Sequence, residues 1–404
     1  MMRYFKLHTN LIFFTYLLYL LKMLSSNKIF YLNALYYISL LCISLINIKY
    51  LDKKNRTYPI FFIMACFFLI MLMRGIIYKN WYIFIISDLS RFALMSFILY
   101  GNQNDIIKLY SNLGSYLFIG LPASLFFVLY YGVKPGTLEQ RFISSGDIET
   151  SMFFFIIYPI AHSLFLFPII GSFKKKIRII IIISVFFIMI YSIMTLNRYF
   201  FITSLLSVIT GLSFSKLRVK IKVLSFLVLG ILVIQIISFK GFNLSESSKS
   251  LFYRLQMKND IFSGRDIEAI EFINSLNKNE IIFGKGLGGS QKTWIWSELP
   301  YGNNMIHFGF LYIIMKGGLL FLIFIISIFV ISCSFMLMKK GIFVPIAISI
   351  LIFIIADFMH TQWLYPFNLI YIFSSISFAF HNDKKRSNLN QKGRAHENII
   401  IKRL

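Results

Sequence analysis

Long apolar stretches alternate with short polar connections along almost the whole chain. Apolar runs of about 20 residues have the length that an α-helix needs to cross the hydrocarbon core of a bilayer. The pattern predicts twelve spans, at roughly residues 10–24, 29–49, 58–77, 81–100, 113–133, 152–172, 177–197, 199–214, 221–239, 306–338, 342–358 and 363–380. The tenth run is too long for one simple crossing. We expect a short helix from His307 that turns at Gly317-Gly318, followed by the span proper.

One long polar segment, residues 240–305, interrupts this pattern. The sequence therefore predicts an all-α, polytopic integral membrane protein with about twelve transmembrane helices and one large extracytoplasmic loop. Residues 1–380 would form a single transmembrane domain, which includes the 240–305 loop and its short helices. Residues 381–404 would form a basic cytoplasmic tail.

Composition agrees with this class and excludes a soluble protein. Of the 404 residues, 58% are hydrophobic and 14% are charged, whereas soluble domains carry about 25% charged residues. Cys42, Cys66 and Cys333 all fall inside apolar runs, so we expect neither a disulfide framework nor a metal site. The N-terminus has no small-residue cleavage site, which favours a first spanning helix over a signal peptide.

The net charge of +25 is unevenly distributed, and its distribution predicts the orientation. Basic clusters follow even-numbered spans, at residues 53–56, 174–178, 216–222, 339–340 and 384–403. The large 240–305 loop, in contrast, contains eight basic and seven acidic side chains. Because excess lysine and arginine collect in cytoplasmic loops, both termini are predicted inside and the large loop outside. The same rule explains the basic charge without a nucleic-acid partner.

Within the large loop, the sequence predicts a helix from Arg265 to about Asn277. Ser263 and Asp266 have the spacing of a capping box at its start. The periodicity would turn three apolar side chains toward an apolar surface, namely Ile267, Ile270 and Ile273.

Three charged residues of the loop are candidates for chemistry: Arg254, Arg265 and Glu268. Arg265 and Glu268 are three residues apart and therefore share a face of the predicted helix. They form either a local surface ion pair, which is the commoner case, or an arginine that binds an anion and is oriented by a carboxylate. Arg254 is a further candidate for substrate binding.

A glycine-rich turn follows, with the sequence Phe-Gly-Lys-Gly-Leu-Gly-Gly at residues 283–289. Glycines at this density let backbone N–H groups approach a phosphate closely, which makes Lys285, Gly286 and Gly288 candidates for substrate binding. The turn lacks the Lys-Ser or Lys-Thr of a Walker motif, so a nucleotide is not expected. A flexible turn without a ligand is the alternative, and spacing alone favours it.

Polar residues at the ends of the apolar runs are further candidates. Arg198 lies between the seventh and eighth runs on the predicted outer side, where a basic residue indicates function. His307 opens the tenth run and is either an interfacial residue or a general base. Asp88 and Arg91, three residues apart in the fourth run, are expected to neutralise each other.

The order of these features resembles that of the bacterial O-antigen polymerase and O-antigen ligase superfamily. An outer-side arginine follows a mid-chain span, and a large outer loop then carries SGRDIEAIEF, FGKGLGG and NNMIHFGFLYIIMKGGLL. The resemblance covers roughly residues 190–340 in motif and the whole chain in topology. It implies an inverting, metal-independent glycosyltransferase without a cofactor, which acts on undecaprenyl-diphosphate-linked sugars at the outer leaflet.

The resemblance also implies roles for individual residues. Arg265 and Arg198 would bind the diphosphate leaving group, and His307 would lie beside the attacking hydroxyl. Arginine suits the first role because its fork holds a diphosphate in bidentate fashion. The implied partners are the lipid-linked oligosaccharide, membrane lipid and a chain-length regulator protein.

The expected function is therefore the polymerisation of lipid-linked repeat units into O-antigen or capsular polysaccharide at the bacterial plasma membrane. One alternative is the ligase of the same superfamily, which uses lipid A-core as the acceptor. A second alternative is a flippase for lipid-linked oligosaccharides. Such a transporter is expected to show internal repeats and ionisable residues along a central path, and neither is clear in the sequence.

Overall fold

The structure, a computed structural model, describes residues 2–24, 30–48, 57–100, 103–131, 157, 159–194, 198–215, 265–291, 306, 308–339, 341–359 and 365–380. Within these ranges the chain is all-helical and forms no strand. The α-helices, numbered in chain order, are α1 (Met2–Leu24), α2 (Phe30–Ile48), α3 (Tyr58–Ile77), α4 (Tyr82–Ala93), α5 (Gln103–Tyr131), α6 (Ser163–Leu166), α7 (Lys175–Met194), α8 (Arg198–Phe214), α9 (Arg265–Ser275), α10 (Lys278–Phe283), α11 (Gly309–Lys339), α12 (Phe343–Met359) and α13 (Pro366–Phe380). Short 3₁₀ segments extend α4 over Leu94–Leu99 and α6 over Phe167–Ser172.

Five segments of the described chain are long and apolar enough to cross a membrane by their length and composition. They are Tyr31–Ile48, Tyr58–Ile77, Tyr82–Leu99, Asn104–Val128 and Gly309–Lys339. Shorter apolar helices cover Ser163–Ser172, Tyr199–Phe214, Phe343–Asp357 and Pro366–Phe380. The chain is thus an all-helical protein with transmembrane character. The count of twelve spans stays a prediction, and the ninth predicted run, 221–239, lies outside the described residues.

Three predicted spans differ from the observed helices. The first begins at Met2, eight residues before the apolar run predicted at 10. The fifth begins at Gln103, ten residues before the apolar run predicted at 113, because Ile106, Leu109 and Tyr110 form a buried face on its first turns. The sixth, predicted as 152–172, is not one continuous helix over its described part. It contains turns at 159–162, a short α6 and a 3₁₀ segment. Pro159 and Pro168 interrupt it because proline lacks the N–H that a helix needs.

Helix α11 confirms the predicted interruption at Gly317-Gly318. Its backbone leaves helical geometry at Gly318, which has φ 72° and ψ −175°. A positive φ of this kind costs glycine little and is strained for any other residue. The kink therefore follows directly from the sequence.

The helices differ greatly in burial although nearly all are apolar. Every residue of α13 from Pro366 to Ala379 is buried, which makes α13 a central helix of the bundle. Helix α3, in contrast, buries Met64, Met71 and Gly75 on one face. The rest of its surface exposes large apolar side chains, as expected for contact with lipid: Phe62, Ile63, Leu69, Ile70, Met73, Ile76 and Ile77.

Long-range contacts group the connections into two ends of the bundle. At one end, the glycine turn at 284–289 contacts the α3–α4 connection through Asn80 and contacts the first half of α11. At the other end, Ser377 of α13 donates to the carbonyl of Tyr100 after α4, and Lys339 of α11 donates to the carbonyl of Ala379. This grouping agrees with the predicted alternation of sides. Which end faces the cytoplasm stays a prediction.

Candidate functional site: a buried charge cluster under the glycine turn

A carboxylate inside the bundle is the centre of the site. Asp88 lies on α4 and is fully buried. Its Oδ1 accepts a hydrogen bond from the Tyr312 hydroxyl at 2.7 Å. Its Oδ2 lies 2.7 Å from Lys316 Nζ and accepts the backbone N–H of Gly288 at 2.8 Å. Three donors from two distant segments therefore converge on one carboxylate of α4, which offsets the large cost of burying its charge.

Lys316 is the principal counter-ion of Asp88. The lysine side chain is fully buried on α11, and its ammonium also donates to the carbonyl of Gly289 at 2.7 Å. It lies 5.0 Å from the centre of the Tyr312 ring, within the range of a cation–π contact. The expected ion pair between Asp88 and Arg91 is present, with Arg91 Nη1 3.6 Å from Asp88 Oδ1, but Lys316 is the closer counter-ion and was not predicted.

Sequence reasoning missed Lys316 altogether. It lies inside the apolar run IIMKGGLL, where a lysine is costly unless a buried acid accompanies it. This intramembrane charge was the signal that could have identified it. We call Asp88, Arg91, Tyr312 and Lys316 the buried charge cluster.

The glycine turn is held to α11 by backbone hydrogen bonds at the kink. The irregular backbone at Gly318 interrupts the helical ladder, so carbonyls on the N-terminal side of the kink need other donors. Lys285 N–H donates to the carbonyl of Met315 at 2.7 Å, and Gly286 N–H donates to that of Lys316 at 3.1 Å. The N–H groups of the turn thus pair with the carbonyl groups at the kink, and neither set is left without a hydrogen bond inside the apolar bundle.

The other side of the turn is held by the end of α3. Leu287 N–H donates to the carbonyl of Met71 at 2.9 Å. Arg74 Nε donates to the carbonyl of Gly284 at 2.9 Å, and Asn80 Nδ2 donates to that of Leu287 at 2.8 Å. The turn is therefore clamped between α3 and α11.

These contacts define what the predicted phosphate-binding residues do in this structure. The N–H groups of Gly286 and Gly288 donate to protein acceptors, and both glycines are buried. Lys285 is partly buried, and its Nζ lies 3.4 Å from the carbonyl of Ser290. Binding of a phosphate by this turn stays a prediction, and it would require these amides to exchange their present partners.

The short helices before the turn were predicted in part. Helix α9 begins at Arg265 as expected, and its described buried residues are Glu268 and Phe272, followed by buried Leu276 just after the helix. Ile270 and Ile273 are 59% and 48% exposed, so they do not pack in the protein core, and their contact with an apolar surface stays a prediction. Phe272 of the same helix, in contrast, is fully buried in the hydrophobic core.

Glu268 links α9 to the end of the glycine turn. Its side chain is fully buried, and its Oε1 lies 3.4 Å from the Nε2 of buried Gln291. A capping box is present in this segment, but it starts α10: Asn277 and Glu280 bond each other's backbone N–H groups at 2.9 and 3.0 Å. The segment 265–291 thus forms one ordered unit with defined ends.

The remaining predicted site residues are placed only in part. Arg198 and Arg265 are the first residues of α8 and α9, and the structure describes their backbone positions alone. Arg254 and His307 lie outside the described residues, as does Ser263. Helix α11 begins at Gly309, at the same end of the bundle as the glycine turn.

A second buried carboxylate lies against the start of α11. Asp357 of α12 is 2% exposed, and its carboxylate contacts the backbone of Gly309 so closely that a Cβ there would overlap it. A carboxylate at the first turn of a helix interacts favourably with the helix dipole. Among the described residues, no three His, Cys, Asp or Glu side chains come together as metal ligands would.

The fold and the site define a class: an all-helical protein with transmembrane character, in which a loop segment docks onto a buried charge cluster. No protein-family model, curated protein or solved structure matches this chain.

Proposed function

We propose that this chain is a polysaccharide polymerase of the bacterial plasma membrane. It would join lipid-diphosphate-linked oligosaccharide units into O-antigen or capsular polysaccharide at the outer leaflet. The donor sugar would leave an undecaprenyl diphosphate, and the acceptor would be a sugar hydroxyl of a second unit. The order of the sequence motifs, an outer-side arginine followed by a large loop with the glycine turn and His307, supports this proposal.

One structural observation carries it further: the segment 265–291 docks on the same end of the bundle where α11 begins. Hydrogen bonds from the glycine turn to Met315 and Lys316 fix this arrangement. Arg265 opens a helix of the docked unit, and α11 begins at Gly309, two residues after His307 in the sequence. A catalytic arginine and base must act on one substrate, and the proposal requires Arg265 and His307 to come together at this end of the bundle.

The chemistry needs no nucleotide at the reaction site, because the donor is already activated by its diphosphate. Arg265 and Arg198 would stabilise the charge that develops on the leaving diphosphate, the kind of term that often dominates catalysis. His307 would accept the proton of the attacking hydroxyl. Glu268 is buried toward Gln291 in the structure, so its contribution would be to position α9.

The test is the glycan ladder of a deletion strain complemented with variants at equal membrane abundance. His307→Ala and His307→Gln are each expected to leave single repeat units and remove the ladder, because neither side chain accepts the proton. Loss of such a general base costs about 10²–10⁴-fold in rate. The control is Lys278→Ala, an exposed residue of α10, which should give a normal ladder.

A full ladder from His307→Gln would remove the general-base role, because an interfacial histidine tolerates glutamine. A deletion strain whose ladder is unchanged would contradict the polymerase itself.

The buried charge cluster favours a second candidate function, a flippase for lipid-linked oligosaccharides. Ionisable residues inside membrane helices often mark a substrate path, and Asp88, Arg91 and Lys316 all lie in candidate spans. Loss of a flippase would keep the repeat unit from the outer face, so even single-unit glycans would disappear from the cell surface. Loss of a polymerase leaves single units attached, and this readout separates the two functions.

A further inference from the structure

Arg91 is a second cation beside a carboxylate that is already satisfied. Asp88 accepts Tyr312, Lys316 and the Gly288 N–H at 2.7–2.8 Å, which uses both of its oxygens. One negative charge therefore faces two positive ones, Arg91 and Lys316, in the same buried cluster. A surplus cation inside an apolar bundle is costly, and an anion placed beside it would offset that cost.

The contacts of Arg91 leave most of its guanidinium available. Within the described residues its hydrogen-bond and ion-pair contacts are both long and both use Nη1: 3.5 Å to the Tyr312 hydroxyl and 3.6 Å to Asp88 Oδ1. Nε and Nη2 make no described hydrogen bond. The side chain is 12% exposed and therefore not fully enclosed by the described residues. Nε–H and Nη2–H form the planar fork that binds two oxygens of a phosphate.

The surroundings of this fork supply further donors. Tyr37 of α2 accepts hydrogen bonds from Lys22 Nζ at 3.2 Å and from Ser87 Oγ at 3.3 Å. Because the Tyr37 oxygen accepts both of these bonds, its own hydroxyl hydrogen can be donated to another acceptor. Lys22 and Tyr37 are both close enough to Arg91 to interact with it electrostatically. An ammonium, a guanidinium and a phenol in one place match a ligand with several acceptor oxygens.

We propose that the face formed by α1, α2 and α4 around Arg91 binds a lipid-borne phosphate group inside the bundle. Arg91 Nε and Nη2 hold two phosphate oxygens, and Lys22 and Tyr37 supply the remaining charge and hydrogen bond. The phosphate comes either from a polyprenyl diphosphate or from the headgroup of an anionic phospholipid. The proposal concerns Arg91 and does not involve the diphosphate contacts proposed for Arg198 and Arg265.

The inference stands apart from the proposed function because it concerns binding, which is measured without turnover. The experiment uses the full chain, purified in detergent, with three probes: undecaprenyl diphosphate, phosphatidylglycerol and inorganic pyrophosphate. Affinity and lipid-induced thermal stabilisation are measured for the wild type, Arg91→Gln and Arg91→Lys. Lys278→Gln, which removes one exposed positive charge, is the matched control.

Arg91→Gln is expected to weaken lipid binding about tenfold to hundredfold, since it removes a charge-assisted bidentate contact. Arg91→Lys should also weaken it, because an ammonium lacks the fork. Lys278→Gln should bind as the wild type does. A preference for undecaprenyl diphosphate, or equal binding of phosphatidylglycerol, identifies the source of the phosphate and supports the site in either case.

The lipid-free protein separates a binding role from a structural one. If Arg91 binds an anion, Arg91→Gln unfolds at the wild-type temperature or above without lipid, because it removes a surplus buried charge. Unchanged lipid affinity in both Arg91 variants would overturn the proposal. An equal loss of affinity in Lys278→Gln would overturn it as well. If Arg91→Gln does not fold, Arg91→Lys decides by the same comparison.

Discussion

At the scale of single residues, the ion pair between Asp88 and Lys316 joins two charges in the interior of the bundle. Both side chains are fully buried, and each has further hydrogen bonds that satisfy it. A buried pair contributes little compared with well-packed apolar residues, but removing one partner leaves the other charge uncompensated. Removing one of the two side chains should therefore lower stability much more than replacing both of them with uncharged residues.

We predict that Lys316→Met destabilises the protein by about 3–5 kcal/mol, because Asp88 loses its close counter-ion inside the bundle and keeps only Arg91, at 3.6 Å. The double variant Asp88→Asn with Lys316→Met should be more stable than Lys316→Met alone. Unfolding in mixed micelles with increasing SDS measures both. Additive losses in the double variant would mean that the two side chains do not act as a pair.

At the scale of elements, the glycine turn and the kink of α11 form a single interlocked unit. Gly286 has φ +82°, and a Cβ there would lie 2.6 Å from the carbonyl oxygen of Met71. Gly318, at the kink, has φ +72° and contacts the carbonyl of Ile282 at the end of α10. Each glycine thus serves two needs, a left-handed conformation and close backbone approach.

We predict that Gly286→Ala loosens the docked segment and costs at least about 1–3 kcal/mol, because the added Cβ is strained by conformation and by contact with backbone. Gly171→Ala is the control, since its φ is ordinary and no atom lies within 4 Å of the added Cβ. Limited proteolysis within residues 265–291 measures the release. Equal protection of the two variants would contradict the interlock.

At the scale of the whole molecule, the described connections fall at two ends of the bundle. Lys79 follows α3 and Lys278 begins α10, and the docked turn holds both at one end. Gly341, between α11 and α12, lies at the other end, next to Lys339 and its contact with Ala379. The positive-inside rule predicts that the first end is outside.

Cysteine labelling tests this arrangement, after replacement of the native Cys42, Cys66 and Cys333. Lys79→Cys, Lys278→Cys and Ser248→Cys are expected to react with a membrane-impermeant maleimide in intact cells. Lys340→Cys, next to Gly341 in the sequence, should react only after the membrane is opened. Labelling of Lys79→Cys and Lys278→Cys from opposite sides would contradict the docking, and labelling of both only from the cytoplasm would reverse the orientation.

The sequence by itself determined the elements whose cause is local. Apolar runs alone predicted α2, α3, α12 and α13 to within a few residues, because a spanning helix needs only length and hydrophobicity. The kink at Gly318 followed from a Gly-Gly pair in an overlong run. The start of α9 at Arg265 was also predicted. The buried residues of α9 were not predicted, because the spacing of its isoleucines does not reveal which side of the helix packs against the rest of the protein.

Only the tertiary structure decided which helix lies at the centre and which residues meet. Helices α3 and α13 have similar apolar sequences, yet α13 is buried throughout and α3 exposes most of its surface. The contacts between Asp88 and Gly288, and between Arg91 and Tyr312, join residues 200 and 221 positions apart. Hydrophobic patterning contains no information about such partners, because every membrane helix satisfies its own backbone and neighbours are chosen by packing and by buried charges.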